Sequence, residues 1–392
     1  MNEFNLPKYI TDILSRIEEA GFEAYLVGGS VRDMLLRQRP SDFDVATSAH
    51  PADIARIFEK AVPTGIKYGT VTVFMAENKA EITTFRSDAR YDDFRRPSSV
   101  KFGGGILSDL SRRDFSVNAM AYNPLRGLID PFHGQNDLES RVIRAVGLPD
   151  ERFKEDALRI LRAFRFASQL GFVIEEGTLR AAGENMALCA HLSGERVRAE
   201  LDRLLQSPLP SLIFRLADLG LFKALGVCFA STENAQRLDK TPASKHARWA
   251  GFLHMIGCEY EGLFERLKFD NVTKKKVALL LNELERTPPQ TSADIKHRLM
   301  TLPPPLYRDY LCLHAALTGG DVSRQLLELD GIENRGEPYR PDMLAVSGSD
   351  LISAGYIPGS KIGIMLNEML EYAIENPQDN VKEKLIHTFH FK

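Results

Sequence analysis

The chain has 392 residues, 44% hydrophobic and 26% charged, enough apolar side chain for two or three packed domains and too much for intrinsic disorder. Its 50 basic and 53 acidic residues leave a net charge of −3, so any face for an acidic polymer must be a local patch rather than the whole surface. Four cysteines (Cys189, Cys228, Cys258 and Cys312) lie far apart with no CxxC pair, which argues against a zinc ribbon or disulfide scaffold and predicts a reducing, cytoplasmic setting.

The first twenty residues are charged throughout, unlike a secretory leader. No run approaches ~20 apolar residues, so no membrane span is expected. Leu6, Ile10, Ile13, Leu14 and Ile17 follow helical spacing, with Gly21 where a C-cap belongs. Glu23 to Val27 reads as a strand, broken by Gly28-Gly29-Ser30, and Val31 to Arg37 as a helix start. Phe43 to Ala46 is a second strand and Ala52 to Lys60 a second helix. Gly69 to Met75 and Ala80 to Phe85, rich in Thr, Val and Ile, are further strands. After Pro149-Asp150-Glu151, strand signals nearly vanish and amphipathic helices follow. They are broken near Pro208/Pro210, Pro288-Pro289, Pro303-Pro304-Pro305 and 331–341. The expected architecture is α+β: a mixed α/β domain over 1–148, then helical segments over 149–205, 206–304 and 305–392.

Two features in the first domain carry chemistry. In Asp42-Phe43-Asp44, residues i and i+2 of a strand share a face. Two carboxylates about 7 Å apart can share a hard divalent cation such as Mg2+, and a pair of such ions can clamp an in-line phosphoryl displacement. A lone DxD is usually a turn or surface pair. Here Gly28-Gly29-Ser30 stands fourteen residues upstream of it, between a strand and a helix. That turn offers free N–H groups and the positive end of a helix dipole to a triphosphate.

The string Leu26-Val27-Gly28-Gly29-Ser30-Val31-Arg32-Asp33 followed by Asp42-Phe43-Asp44 resembles the signature of the nucleotidyltransferase superfamily that includes DNA polymerase beta. More closely it resembles the class II branch of CCA-adding tRNA nucleotidyltransferases and bacterial poly(A) polymerases. Further matches follow in order. Arg112 to Ala121 resembles the ribose-selecting segment, Asp130 to Leu138 the hinge, Glu155 to Ala167 the base-reading helix, and Gly194 to Leu201 the segment that buttresses it. Ser347 to Gly363 is similar to the C-terminal tRNA-binding region. No basic Gly-Arg-Arg-Phe signature of the poly(A) polymerases occurs, and Arg86 to Phe102 looks full length, unlike the shortened loop of CC-adding enzymes.

The resemblance implies a catalytic head (1–148), a base-reading neck (149–205), a body (206–304) and a tRNA-binding tail (305–392), elongated and all-helical beyond the head. The implied reaction is template-independent addition of C, C and A to the 3′ end of tRNA from CTP and ATP. The implied partners are the acceptor arm and elbow of tRNA, not DNA and not a membrane. Asp42 and Asp44 are then the catalytic metal ligands, for two Mg2+. Gly28, Gly29, Arg32, Arg113, Arg162 and Arg165 contact the triphosphate. Asp114 and Asn118 contact the ribose. Asp156 and Arg159 read the base with Glu155 in support. Glu81, on the strand after the metal pair, is a third-carboxylate candidate outside this set. Lys274-Lys275-Lys276 reads first as a solvated helix start, and Trp249 as structural. A catalytically silent tRNA-binding protein is the reading from another class.

Asp156 and Arg159 also make sense as chemistry. Spaced i, i+3 on a helix, they are expected to face one way and to set an acceptor beside a donor. Cytosine and adenine each present an amino donor beside a ring-nitrogen acceptor. Uracil and guanine present a carbonyl and an N–H there, so both contacts fail.

Overall fold

The computed structural model describes residues 4–65, 69–87, 101–227, 234–257 and 260–389. Most of the Arg86 to Phe102 segment, residues 88–100, lies outside them. Two compact units emerge: Met1–Ser231 with Glu259–Lys268, and Thr232–Cys258 with Phe269–Lys392.

The first unit opens with α1 (Lys8–Glu19), which buries Ile10, Ile13, Leu14 and Ile17. It closes as the sequence predicts. Gly21 adopts φ 87, and Phe22 N–H reaches back to the Ile17 carbonyl at 3.2 Å, a Schellman end that needs the left-handed residue. The chain continues through β1 (Ala24–Val27), α2 (Gly29–Leu35), β2 (Asp44–Thr47), α3 (Pro51–Ile57), β3 (Ala61–Gly65), β4 (Thr70–Met75) and β5 (Asn78–Thr84). A short ribbon, β6 (Arg86–Ser87) with β7 (Lys101–Phe102), leads to α4 (Ile106–Ser111), β8 (Ala121–Asn123), β9 (Gly127–Ile129), α5 (Gly134–Glu139) and β10 (Val142–Ile143).

The main sheet has seven strands in the order β3-β4-β5-β2-β1-β8-β9. Its pairs are antiparallel except β2 with β5. Tyr25, Val27, Ala46, Phe85 and Ala121 from the sheet pack with Ile106 and Leu110 of α4. This core fixes the edge where β1 ends and β2 begins, and that edge carries the site.

Helices then take over: α6 (Pro149–Glu155), α7 (Leu158–Leu170), β11 (Val173–Ile174) pairing in parallel with β10, α8 (Glu176–Glu184), α9 (Gly194–Leu205), α10 (Leu212–Asp218) and α11 (Leu221–Ala224). α7 packs along α9, and α10 packs on both. Residues 206–227 therefore belong with the neck helices, although their prolines suggest a new segment in the sequence.

The second unit holds α12 (Lys245–Ile256), α14 (Asn271–Leu284), α15 (Ser292–Leu299), α16 (Pro304–Thr318), α17 (Ser323–Arg335), α18 (Gly348–Ser353), α19 (Ser360–Glu375) and α20 (Lys382–Phe389); α13 (Glu261–Arg266) falls in the first unit. Trp249 is fully buried, its ring 5.0 Å from that of Phe269, and is structural as expected. Buried Lys296 donates to the Ile374 carbonyl at 2.8 Å and pairs with Glu337 at 2.5 Å, pinning α15 to α19. α16 packs on α12 and α14, so the segments expected as separate body and tail share one unit. Among the described residues no helix is long and apolar enough to cross a membrane.

A carboxylate edge walled by arginines

Gly28 has φ 72 and ψ −134, a conformation that favours glycine. A Cβ there would also stand 2.8 Å from Arg113 Nη1. The turn hands the chain to α2, where Ser30 Oγ donates to the Val27 carbonyl at 3.0 Å. Val27 pairs with Asp44 across β1 and β2, and Asp44 pairs with Glu81 across β2 and β5. The glycine turn and two carboxylates thus meet at one sheet edge.

The second strand starts at Asp44, not Phe43. Asp42 precedes it, yet the alternation persists: Asp42 and Asp44 are exposed and Phe43 is buried between them. Although Asp44 keeps contact with solvent, desolvation by the protein packed around the cleft, then the Glu81 carboxylate, push its carboxyl above its ordinary range; Arg113 opposes and Asp42 adds to the push. Like charges gathered this closely favour a cation among them. All three donors are carboxylates, the chemistry a hard divalent ion prefers. Among the described residues no three His, Cys, Asp or Glu side chains converge on one point.

Lining one cleft of about 740 Å3 with this edge are Arg32, Arg112, Arg113, Asp114, Asn118, Asp156, Arg159, Arg162, Arg165 and Phe166. Arg32 lies 2.7 Å from Asp33, donates to Asn118 Oδ1 at 2.8 Å and sits 5.4 Å above the Phe166 ring. Asp114 accepts from Arg162 Nε at 2.8 Å, from Asn118 Nδ2 at 3.2 Å and from the Phe115 N–H at 2.9 Å. Burial pushes its carboxyl up, but the Arg162 charge and these hydrogen bonds prevail and hold it at about 2. Arg162 is held above its ordinary range, first by Asp114.

Arg165 is placed differently. Its side chain is 8% exposed, donates to Glu200 at 2.6 Å and to Gln169 at 2.9 Å, and covers Phe166 at 3.8 Å. It nevertheless lines the same cleft.

The base-recognition pair is brought together in another way than helical spacing suggests. The stretch from Glu155 is not one helix. α6 ends at Glu155, Asp156 is extended (φ −149, ψ 102), and α7 starts at Leu158. Asp156 Oδ1 accepts the Leu158 N–H at 3.1 Å and Oδ2 accepts from Arg196 at 2.8 Å. The carboxylate competes with the helix for that N–H, as Asp does at helix starts. Arg159 is folded onto Glu155 (2.6 Å) and donates to the carbonyls of Arg152 (3.2 Å) and Arg112 (2.8 Å). Both side chains still line the cleft.

One residue of the cleft escaped the sequence reading. Asp109 clamps Arg112 and Arg113; its i+3 and i+4 spacing to them was the available signal. Arg196 and Glu200 lie in the segment expected to buttress the base-reading helix; from α9 they pair with Asp156 and Arg165. At its start α9 packs closely on α13: a Cβ on Gly194 would sit 2.0 Å from the Arg266 carbonyl oxygen.

Paired carboxylates beside a glycine turn at a helix start, in a cleft lined by arginines, define a nucleotidyltransferase. Comparisons narrow the class. Residues 24–144 match the Poly A polymerase head domain and residues 171–226 the "Probable RNA and SrmB- binding site of polymerase A". A CCA-adding enzyme of Lacticaseibacillus paracasei is 37% identical over 390 residues, covering 95% of this chain and 94% of the relative. One from a Geobacillus species is 36% identical over 391 residues, covering 96% and 95%. The crystal structure of the Bacillus stearothermophilus CCA-adding enzyme in complex with CTP matches with a TM-score of 0.82 and 30% identity, covering 97% of each chain. This chain belongs to the CCA-adding enzyme family.

Proposed function

We propose that this chain completes the 3′ end of tRNA with C, C and A, taking CTP and ATP as substrates and using no nucleic-acid template. The observation that carries the reading is that one cleft is lined both by Asp42, Asp44 and Glu81 and by the Asp156–Arg159 pair. A triphosphate bridging them would present its α-phosphorus to the carboxylate edge and its base to the pair.

The primer 3′-hydroxyl oxygen attacks the α-phosphorus, and pyrophosphate leaves. Asp42 and Asp44 would hold two Mg2+, with Glu81 adjacent as a further oxygen donor. When bound, such ions supply Lewis-acid stabilisation of the oxygens of the in-line displacement. The Gly28 N–H donates to the Met120 carbonyl, so the N–H groups from Gly29 through the first turn of α2 are the ones that hold phosphate oxygens. Arg113, Arg32 and Arg162 add fixed positive charge, already oriented by Asp109, Asp33 and Asp114. Arg165 supports this layer from behind through Glu200. Asp114 and Asn118 address the ribose. A carboxylate has about four lone-pair sites and Asp156 uses two of them on the Leu158 N–H and on Arg196, which leaves acceptor capacity for an exocyclic amino group. Arg159 keeps Nε–H free of the contacts described above for the neighbouring ring nitrogen. The setting is the cytoplasm.

The test offers tRNA lacking its 3′ end with each nucleoside triphosphate singly and together, and sequences the products. CTP alone should give two C, CTP with ATP should give CCA, and ATP alone should give nothing on that primer. A long A tract would make the enzyme a poly(A) polymerase, and a stop after CC a CC-adding enzyme.

A further inference from the structure

Three parts of the cleft converge on Asp109, a residue no sequence motif singled out. Because Ile106 and Leu110 of α4 are drawn into the sheet core, Asp109 is carried beneath the surface and is 1% exposed. Its Oδ1 accepts from Arg112 Nη2 at 2.5 Å, from Arg112 Nε at 3.1 Å and from the Arg86 N–H at 3.4 Å. Its Oδ2 accepts from Arg113 Nη2 at 3.1 Å.

Each partner leads to a working part of the site. Arg113 Nη1 donates to the Asn118 carbonyl at 3.4 Å and occupies the space that a Cβ on Gly28 would fill. Its charge bears on Asp44. The Arg112 carbonyl receives Arg159 Nη2 at 2.8 Å. A carboxylate this buried is costly unless paired, and an apolar residue would pack the same space with less penalty. An untethered arginine has many rotamers, and tethering fixes one of them before substrate arrives.

We propose that Asp109 is a positioning residue for nucleotidyl transfer: it holds Arg113 against the Gly28 turn beside Asp44 and, through the Arg112 main chain, seats Arg159, so that triphosphate and base meet one rigid frame. The inference rests on the CCA-adding reading and adds to it a residue that touches neither substrate.

The test is a double-mutant cycle with Asp109→Asn, Arg113→Ala and the combination, reading kcat and KM for CTP and ATP separately, with tRNA affinity by filter binding. Asp109→Asn weakens two charge-assisted hydrogen-bonded pairs, so KM for both nucleotides should rise about tenfold or more while tRNA affinity stays within about twofold. In the Arg113→Ala background the same change should cost clearly less than in the unaltered protein, because one of the two arms through which the carboxylate acts is already gone. Equal losses in both backgrounds, or a fall in tRNA affinity matching the rise in KM, would make Asp109 a general scaffold and overturn the proposal. If Asp109→Asn does not fold, Asp109→Glu keeps the charge but displaces it; nucleotide KM should then lie between those of the unaltered protein and Arg113→Ala, and an unchanged KM refutes the role. Failure of the unaltered protein to add C or A would refute the CCA-adding reading instead, so the two failures are distinct.

Discussion

Asp156→Ala removes one acceptor from the cleft and two contacts at the start of α7. The loss of the bond to the Leu158 N–H resembles an N-cap deletion, about 1 kcal/mol. The Arg196 pair, with side chains 24% and 23% exposed, adds at most about 1 kcal/mol. The protein should therefore stay folded, since domains have roughly 5–15 kcal/mol in hand. The functional loss differs in kind. A matched polar contact discriminates between bases by roughly 1–3 kcal/mol, so the preference for CTP over UTP should shrink by about 5- to 150-fold. Asp156→Asn sharpens the test, because its oxygen can keep the Leu158 N–H while its amide donates to the carbonyl of uracil. UTP use should rise relative to CTP beyond the level of Asp156→Ala. The assay is kcat/KM for all four nucleotides on a tRNA primer awaiting its first C. If both variants slow every nucleotide by the same factor, Asp156 is scaffolding and the protein does not read the base there.

Other outcomes follow from the same geometry. Asp42→Ala and Asp44→Ala should each abolish C and A incorporation while tRNA affinity, measured by filter binding, is nearly unchanged; substantial incorporation by the double variant would refute the two-carboxylate edge. Gly28→Ala forces a Cβ toward Arg113 and strains a positive φ by about 1–2 kcal/mol, so KM for CTP and ATP should rise together; an unchanged KM would remove the turn from the nucleotide site. Holding the Asp114 carboxyl at about 2 instead of 3.8 contributes about 2 kcal/mol of stability, complete above pH ~4 and lost as the pH falls toward 2. Arg162→Met removes that contribution, so its stability gap from the unaltered protein, read by far-UV circular dichroism in urea, should close across that window. A gap constant from pH 7 to pH 2 would contradict the pairing.

What the sequence made legible was local. Gly28-Gly29 ahead of a helix, the Asp42/Asp44 alternation, Gly21 closing α1 and the change to all-helical character near Pro149 each follow from a few adjacent residues. What stayed hidden was non-local or competitive. Glu81 could be read only as a candidate third carboxylate, because it stands beside Asp44 through parallel pairing of β2 with β5, and a one-residue slip in register would have turned it away. The break at Asp156 carries no Gly or Pro; an aspartate took the N–H that would have continued the helix. Arg165 looked like its neighbours Arg159 and Arg162 until α9 supplied Glu200 to it. The prolines near 208 and 303 mark helix ends rather than unit boundaries, because packing of α10 on α7 and of α16 on α12 overrides them.

The central claim is that protein side chains alone choose the nucleotide, and equilibrium binding tests it without chemistry or primer. The unaltered chain, with Mg2+ and without tRNA, is titrated with each of the four nucleoside triphosphates. CTP and ATP should bind about tenfold or more tighter than UTP and GTP, as a single matched polar pair allows. Four equal affinities would contradict the account.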